Sequence, residues 1–121
     1  MVAIMTDETR QFVIRNKIWI EDRQGNVVFG LGRYRMLDAV SRTGSLQAAA
    51  TELKMSYKAL WMRIRASEER MGRPLVVREG RGSRLTTYAA NLMKQFNRLR
   101  MIVLKESDEL YDSLMSDHLT G

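Results

Sequence analysis

Residues 44–78 read GSLQAAATELKMSYKALWMRIRASEERMGRPLVVR, and this stretch decides the fold of the chain. Ser45 and Ser56 are both good N-cap residues, and each is followed by apolar residues at helical spacing. Gly72 and Pro74 stop the second pattern. The stretch therefore predicts two short helices joined by a break of a few residues, which is the layout of a helix-turn-helix. In that motif the second helix lies in the major groove of DNA.

The positive charge of the chain is concentrated in and just after this motif. Between residues 54 and 84 there are nine Lys or Arg and three Glu, a net charge of +6 that equals the formal charge of the whole chain. From the spacing alone, an ordinary pair of packed helices is as good an interpretation as a DNA-binding motif. A run of charged residues is likewise usually only a solvent-exposed face. Charge focused on a helix-turn-helix and on the loop that follows it favours a polyanionic partner such as DNA.

Length and composition bound the class of protein. At 121 residues, with 45% hydrophobic and 28% charged residues, the sequence is typical of one globular domain with its own core. The absence of cysteine excludes disulfides, and no apolar run approaches the roughly 18 residues of a membrane span. The first residues show no pattern of a secretory signal, so a cytoplasmic location and no membrane partner are expected. Residues 1–11 are polar and are predicted to be disordered.

Before the motif, the sequence predicts a β-hairpin and a helix. Apolar and charged residues alternate over residues 12–20, which indicates a half-buried strand, and residues 27–29 return as a second strand after a polar turn. Trp19 lies on the otherwise polar face, where we expect it to pack against a neighbouring helix or subunit. Residues 30–32 are predicted to be a flexible joint, followed by a helix over residues 33–43.

After the motif, the sequence predicts a second hairpin. Residues 75–78 form a short strand, residues 79–83 a glycine-bearing tip, and residues 84–86 the returning strand. A β-hairpin directly after the second helix of a helix-turn-helix is a wing. Gly80 and Gly82 are better explained by a tight turn than by a phosphate-binding loop.

The last helix is predicted over residues 87–117, with Thr86 or Thr87 as its cap. Some thirty residues reach about 45 Å, which exceeds the width of a small domain. A partner helix is therefore the expected cover for its apolar stripe, and a helix folded back on its own domain is the alternative. The stripe that we expect to form a homodimer interface consists of Leu92, Phe96, Leu99, Val103, Leu110 and Leu114.

Side chains on the exposed face of the second motif helix are the candidate DNA contacts. Lys58 and Arg65 can donate to guanine O6 and N7 or to phosphate, and Met62 can contact a thymine methyl group. Trp61 is ambiguous between groove and core, with partial packing favoured, whereas Arg63 lies nearer the buried flank and is expected to be structural. The wing arginines are expected beside the phosphate backbone or the minor groove. The full set of candidate DNA-binding residues is Ser45, Ser56, Tyr57, Lys58, Trp61, Met62, Arg65, Arg81 and Arg84.

Catalysis is not expected. The sole histidine, His118, lies near the C-terminus, and neither a carboxylate pair nor a phosphate-binding glycine loop is evident. No metal or cofactor is indicated, and the sequence does not identify a small-molecule effector. The alternative to DNA binding is a winged helix used for protein–protein contact, with an effector domain on another chain. Lys58 and Arg65 count against that alternative, because it favours a neutral face.

The segment Ser56–Trp61, SYKALW, resembles the SYK-x-x-W signature of the N-terminal domain of the molybdate-responsive ModE family. The paired alanines, Gly72, the Pro74–Val76 segment and Leu85–Thr86 occupy matching places, and the resemblance covers roughly residues 15–105. More distantly, GS-x-x-x-AA-x-x-L-x-x-S is similar to LysR-type regulators. The resemblance implies a winged helix-turn-helix, sequence-specific binding of double-stranded DNA, and dimerisation through the helices that flank it.

Two departures limit what the resemblance implies. The wing lacks the long glycine run of the family, and the molybdate-binding domains that follow the long helix in ModE are absent from this sequence. DNA binding therefore carries over from the resemblance, whereas molybdate sensing does not, and the sequence leaves the effector signal open. The overall prediction is a mainly α fold with a small β component (α+β), with a hairpin and winged helix-turn-helix domain over residues 12–86 and a dimerisation helix over residues 87–117.

Overall fold

The computed structural model describes the backbone of residues 11–120 and the side chains of residues 11–119. The predicted disordered segment, residues 1–11, therefore lies outside the described residues apart from Gln11. The mainly α fold with two small hairpins is confirmed. In chain order the elements are β1 (Trp19–Glu21), β2 (Val27–Gly30), α1 (Leu31–Thr43), α2 (Leu46–Glu52), α3 (Tyr57–Met71), β3 (Val76–Glu79), β4 (Gly82–Leu85), α4 (Thr87–Leu114) and α5 (Ser116–Thr120).

The chain divides into two compact units. One comprises Ile18–Phe96, which holds both hairpins, the three helices between them and the first part of α4. Within it, Phe29 packs edge-to-face on Phe96 with ring centroids 5.1 Å apart, and Tyr34 lies 6.4 Å from the same ring. The buried core of this unit consists of Phe29, Met36, Leu37, Ala39, Val40, Ala49, Ala50, Leu60, Ile64, Leu75, Val76, Ala89 and Phe96.

The other unit joins the N-terminal segment before Ile18 to the residues after Phe96. In its described part, the Asn16 side-chain amide donates to the Ser107 hydroxyl over 3.1 Å. Tyr111 is buried. The distal part of α4 is therefore covered on the side that carries Ser107 and Tyr111.

The caps that the sequence predicts set the helix boundaries of the motif. The Ser45 hydroxyl accepts a hydrogen bond from Ala48 N–H over 3.2 Å, which starts α2. The Ser56 hydroxyl accepts from Ala59 N–H over 3.0 Å, which starts α3. Gly72 ends α3 in the left-handed conformation at φ +69°. The helix-turn-helix is thus confirmed, including its boundaries.

The first strand and the joint differ from the prediction. Only Trp19–Glu21 pairs with β2, because β2 is four residues long and offers no partner to residues 12–18. Gly30 is not part of a flexible joint: it pairs with Trp19, and α1 begins at Leu31. A Cβ on Gly30 would lie 3.0 Å from the Trp19 Cβ, so this position needs a small residue for close strand approach.

The last helix is shorter than predicted. The Thr86 hydroxyl accepts from Ala89 N–H over 3.1 Å and donates to the Pro74 carbonyl over 2.9 Å, so Thr86 is the cap. α4 ends at Leu114, and α5 begins at Ser116, whose hydroxyl donates to the Asp112 carbonyl. Hydroxyl groups that bond to main-chain carbonyls compete with regular helix bonding, which is consistent with a break there.

Candidate nucleic-acid interface

Four of the candidate DNA contacts lie exposed on one side of α3. Tyr57, Lys58, Met62 and Arg65 are exposed, and Met62 has 59% of its surface accessible. Met62 lies on the side of α3 opposite Leu60 and Ile64, which are fully buried. The arrangement presents cationic, aromatic and apolar groups together, which is the mixture that base edges and phosphates bind.

Arg65 is held in place by two neighbours. Its guanidinium lies 5.5 Å from the centre of the Trp61 ring, and one nitrogen is 3.4 Å from a Glu68 carboxylate oxygen. Trp61 itself is half-buried and packs against the core, in line with the partial packing favoured from the sequence. Arg65 therefore approaches a ligand as a preoriented cation rather than as a free side chain.

Glu68 joins α3 to the wing, a role that sequence reasoning missed. Its side chain is only 7% exposed. The Glu68 Oε2 atom accepts hydrogen bonds from Leu75 N–H over 2.7 Å and from Val76 N–H over 3.3 Å. These bonds fix the start of β3 against the end of the recognition helix. The available signal was its helical position beside Leu60 and Ile64, where an acid needs buried partners.

The wing is also anchored at its other strand. Ser83 N–H donates to the Gly44 carbonyl over 2.9 Å, which ties β4 to the end of α1. A Cβ on Gly82 would lie only 2.3 Å from that Gly44 oxygen. Gly82 thus serves close backbone approach rather than the tight turn expected from the sequence, whereas Gly80, at φ +58°, does form the turn.

The tip of the wing carries the predicted arginines. β3 and β4 pair in register from Val76 opposite Leu85 to Glu79 opposite Gly82, which leaves Gly80 and Arg81 as the turn. Arg84 lies 3.8 Å from Glu79, in a pair where both side chains are more than half exposed. Solvent screens such a pair, so it leaves the Arg84 charge available to a ligand.

An open groove of about 460 Å³ lies between the first turn of α2, the first half of α3 and the wing. Of the predicted contacts, it brings together Ser45, Tyr57, Trp61 and Arg81, whereas Lys58, Met62, Arg65 and Arg84 lie outside its lining. Ser56 caps α3 and is likewise not part of it. The polar lining residues that sequence reasoning missed are Gln47, Arg78 and Ser83.

The predicted dimerisation stripe divides into two parts. Phe96 is 2% exposed and stabilises its own unit, so it is not available as an exposed interface residue, whereas Leu92 is half-buried and packs partly against the same core. The prediction failed at Phe96 because the sequence does not show that the Phe29 side chain covers the start of α4. Farther along, Leu99, Leu110 and Leu114 are 46%, 54% and 62% exposed, and Val103 is half-buried.

The described residues contain neither a membrane-spanning helix nor a cluster of metal-ligand side chains. None of the helices between residues 11 and 120 is long and apolar enough to span a bilayer. In that same part of the chain, no three His, Cys, Asp or Glu side chains are grouped so that they could hold a metal ion.

A helix-turn-helix followed by an anchored β-hairpin defines a winged helix-turn-helix, and comparison with known proteins places it in a family. Residues 31–90 match the bacterial regulatory helix-turn-helix proteins of the LysR family. This region of the chain therefore belongs to the LysR-type helix-turn-helix DNA-binding domains, and it has homologues among ModE proteins, as the sequence resemblance implied.

Two relatives and two solved structures illustrate the similarity. The chain is 33% identical over 94 residues to the molybdenum transport protein ModE of Azotobacter vinelandii, covering 74% of this chain and 34% of that protein. It is 32% identical over 95 residues to the transcriptional regulator ModE of Haemophilus influenzae, covering 69% and 37% respectively. The chain thus spans about a third of the length of the curated relatives it matches.

Among solved structures, the DNA-binding domain of CbnR in its complex with DNA superposes with a TM-score of 0.56 at 22% identity, covering 70% of this chain and 98% of that one. ArgP from Mycobacterium tuberculosis gives a TM-score of 0.50 at 31% identity, covering 64% of this chain and 29% of that one. The likeness to CbnR shows a shared fold.

Proposed function

We propose that this chain is a sequence-specific transcriptional regulator that binds double-stranded DNA, with α3 in the major groove and the wing on the backbone. The observation that carries the proposal is the exposed, basic face of α3, which is flanked by a groove and by the arginine-bearing wing on one helix-turn-helix. Relatives described as a transcriptional regulator and a structural neighbour solved with DNA support it. Action on DNA is also the reason for proposing a cytoplasmic location and a non-enzymatic role.

Each group has a distinct task in this proposal. Lys58 and Arg65 donate to base edges, and Met62 contacts a thymine methyl group. Ser45 and Ser56, already used as caps, offer phosphate the amide N–H groups at the helix starts. Arg81 and Arg84 pair with backbone phosphates, which contributes affinity without sequence preference.

We also propose that the chain acts as a homodimer through the distal part of α4. Leu99, Leu110 and Leu114 recur on one side of the helix and are about half exposed or more, which is costly for a monomer in water. A two-fold dimer would present two recognition helices to paired half-sites, as helix-turn-helix proteins commonly do.

Selection from a pool of randomised DNA duplexes tests both proposals together. The recovered duplexes should share a sequence composed of two related half-sites. If the parent protein recovers no common sequence, the proposed DNA-binding function is wrong.

Sedimentation tests the dimer separately. Leu99→Glu combined with Leu110→Glu should convert a dimer into a monomer, because like charges would face each other across the two-fold axis. Asn97→Glu, at an exposed polar position of the same helix, is the matched control and should leave the dimer intact. A parent that sediments as a 14.0 kDa monomer at micromolar concentration contradicts the dimer.

A further inference from the structure

Three arginines form a cluster on the flank of α3 that faces α1 and β2; we call it the arginine patch, and it consists of Arg33, Arg63 and Arg70. Arg33, in the first turn of α1, donates through Nε to the hydroxyl of the fully buried Ser67 over 3.2 Å. Arg63 and Arg70 lie four residues before and three residues after Ser67, so they share its side of α3.

The patch makes no direct ion pair with a carboxylate of the described residues. Among residues 11–119, none of the three guanidinium groups lies within 4.0 Å of a carboxylate, and Arg63 has no hydrogen-bond partner. Arg70 donates to the Val27 carbonyl, a neutral group. The pKa of Arg33 is lowered by burial and, to a lesser extent, by the charges of Arg63 and Arg70. Three like charges are thus held together with no carboxylate in direct contact, and Asp22 interacts with Arg70 more weakly than with its own turn. An anionic ligand would relieve the remaining repulsion.

The location of the patch separates it from the proposed DNA-binding face. At 100° per residue, Arg63 lies about 140° around α3 from Lys58. Arg70 bonds to β2, on the hairpin before the motif, and Arg33 belongs to α1. A DNA duplex lying against Lys58, Met62 and the wing would therefore leave the patch accessible to another molecule.

The dimensions and chemistry of the patch indicate which anion it fits. Arg63 and Arg70 are seven residues apart, so their Cα atoms are separated by about 10 Å along the helix. Two arginines at that spacing can each pair with a separate carboxylate along an extended acidic chain. The chain itself offers an example, because the pKa of Asp22 is lowered mainly by the Asn26 backbone N–H and in smaller part by Arg70.

We propose that the arginine patch binds an acidic segment of a partner protein, with glutamate or aspartate carboxylates paired to the guanidinium groups. Guanidinium pairs with carboxylate through two parallel hydrogen bonds, which gives such a contact orientation as well as attraction. This inference does not depend on DNA binding, because it uses a different face of α3 and different residues.

A fluorescein-labelled glutamate-rich peptide, titrated with the full chain and followed by fluorescence anisotropy, tests the proposal. Arg63→Ala should weaken peptide binding by about fivefold, as expected for an exposed charge pair. The fold should survive, because Arg63 bonds to no other described residue. Arg35→Ala removes an exposed arginine of α1 outside the patch and should leave peptide affinity unchanged.

Three results would overturn the proposal. Equal losses in Arg63→Ala and Arg35→Ala would mean that the peptide responds only to net charge. Inorganic phosphate could displace the peptide when both are present at equal concentrations of negative charge. That result would indicate a site for a small anion. A fall in affinity for a selected DNA duplex in Arg63→Ala, with peptide affinity unchanged, would make the patch a DNA contact. If the parent bound no duplex, the proposed regulator function would be wrong. The peptide titration would still test the arginine patch, because it does not depend on DNA binding.

Discussion

The two β-hairpins of the Ile18–Phe96 unit are both short antiparallel pairs, and they differ in how they are held. The first, β1–β2, is anchored chiefly by Phe29, which is fully buried against Phe96, and Arg70 adds one hydrogen bond to a β2 carbonyl. The wing, β3–β4, buries the smaller Val76 and relies in addition on polar contacts at its base. There the Glu68 carboxylate holds the start of β3, and the Gly44 carbonyl holds Ser83 of β4.

The hairpins also differ in charge. The first turn, residues 21–26, carries two acids and one arginine, and its Asp22 carboxylate accepts backbone N–H groups of the turn itself. The wing, residues 78–84, carries three arginines and one glutamate. Similar strand pairing therefore serves a structural element in one case and, in our proposal, a phosphate-binding element in the other. Anchoring and charge distinguish the two more clearly than their short antiparallel pairing does.

Removing the apolar anchor should have the largest effect on stability. Phe29→Ala should lower the free energy of unfolding by about 3–5 kcal/mol, because a fully buried aromatic side chain leaves a cavity. Val77→Ala, at a half-buried position of the wing, should cost clearly less. Urea denaturation of both variants measures the difference, and a larger loss from the wing variant would refute the contrast between the anchors.

Removing the polar anchor should come next. Glu68→Ala should lower the free energy of unfolding by about 1–3 kcal/mol, because two main-chain N–H groups at the base of the wing lose their acceptor. Glu69→Ala, its exposed neighbour, is the matched control and should change stability little. Thermal unfolding followed by circular dichroism compares the two. Similar midpoints for both variants would show that Glu68 does not hold the wing.

The close approach at Gly82 offers a third test. Gly82→Ala should destabilise the chain by at least about 1 kcal/mol, since the new methyl group would overlap the Gly44 carbonyl and force the wing to move. Gly32→Ala is the control: a Cβ there meets nothing within 4 Å, and alanine favours the helix. The same denaturation assay should therefore give shifts of opposite sign, and a neutral Gly82→Ala would contradict the anchoring.

Matched arginines at the two hairpins give the smallest expected effect. Arg81→Ala and Arg84→Ala should each reduce the slope of log affinity against log salt by about one unit, whereas Arg23→Ala in the first turn should leave the slope unchanged. DNA-binding titrations at several salt concentrations measure this. Equal slopes for Arg23→Ala and Arg81→Ala would remove the distinction between wing and first hairpin.

Local signals explain what the sequence could predict. Ser45, Ser56 and Gly72 act on their own helix ends, so the positions of α2 and α3 follow from a few neighbouring residues. The wing likewise follows from a short strand, two glycines and a return. The exposed side of α3 was also predictable, because the spacing of its apolar residues shows which side is buried and therefore which side faces solvent.

Contacts between distant residues explain what the sequence could not predict. The burial of Phe96 depends on Phe29, and the need for glycine at position 82 depends on the Gly44 carbonyl. The helical position of Glu68 indicated burial, but its partners are main-chain N–H groups, which every residue except proline carries, so the sequence did not show where it binds. The alternation over residues 12–18 predicted a strand, but β2 is too short to pair with it.

The central claim is that α3 reads DNA sequence while the wing contributes affinity alone, and one anisotropy experiment tests it most directly. Parent, Lys58→Ala and Arg84→Ala are each titrated against a duplex recovered by selection and against a scrambled duplex of the same composition. We expect Lys58→Ala to lose about 1–3 kcal/mol of binding free energy on the selected duplex. On the scrambled duplex the same variant should lose much less. Arg84→Ala should weaken binding to both alike. A parent that does not prefer the selected duplex, or a Lys58→Ala variant that keeps the full preference, would contradict the account.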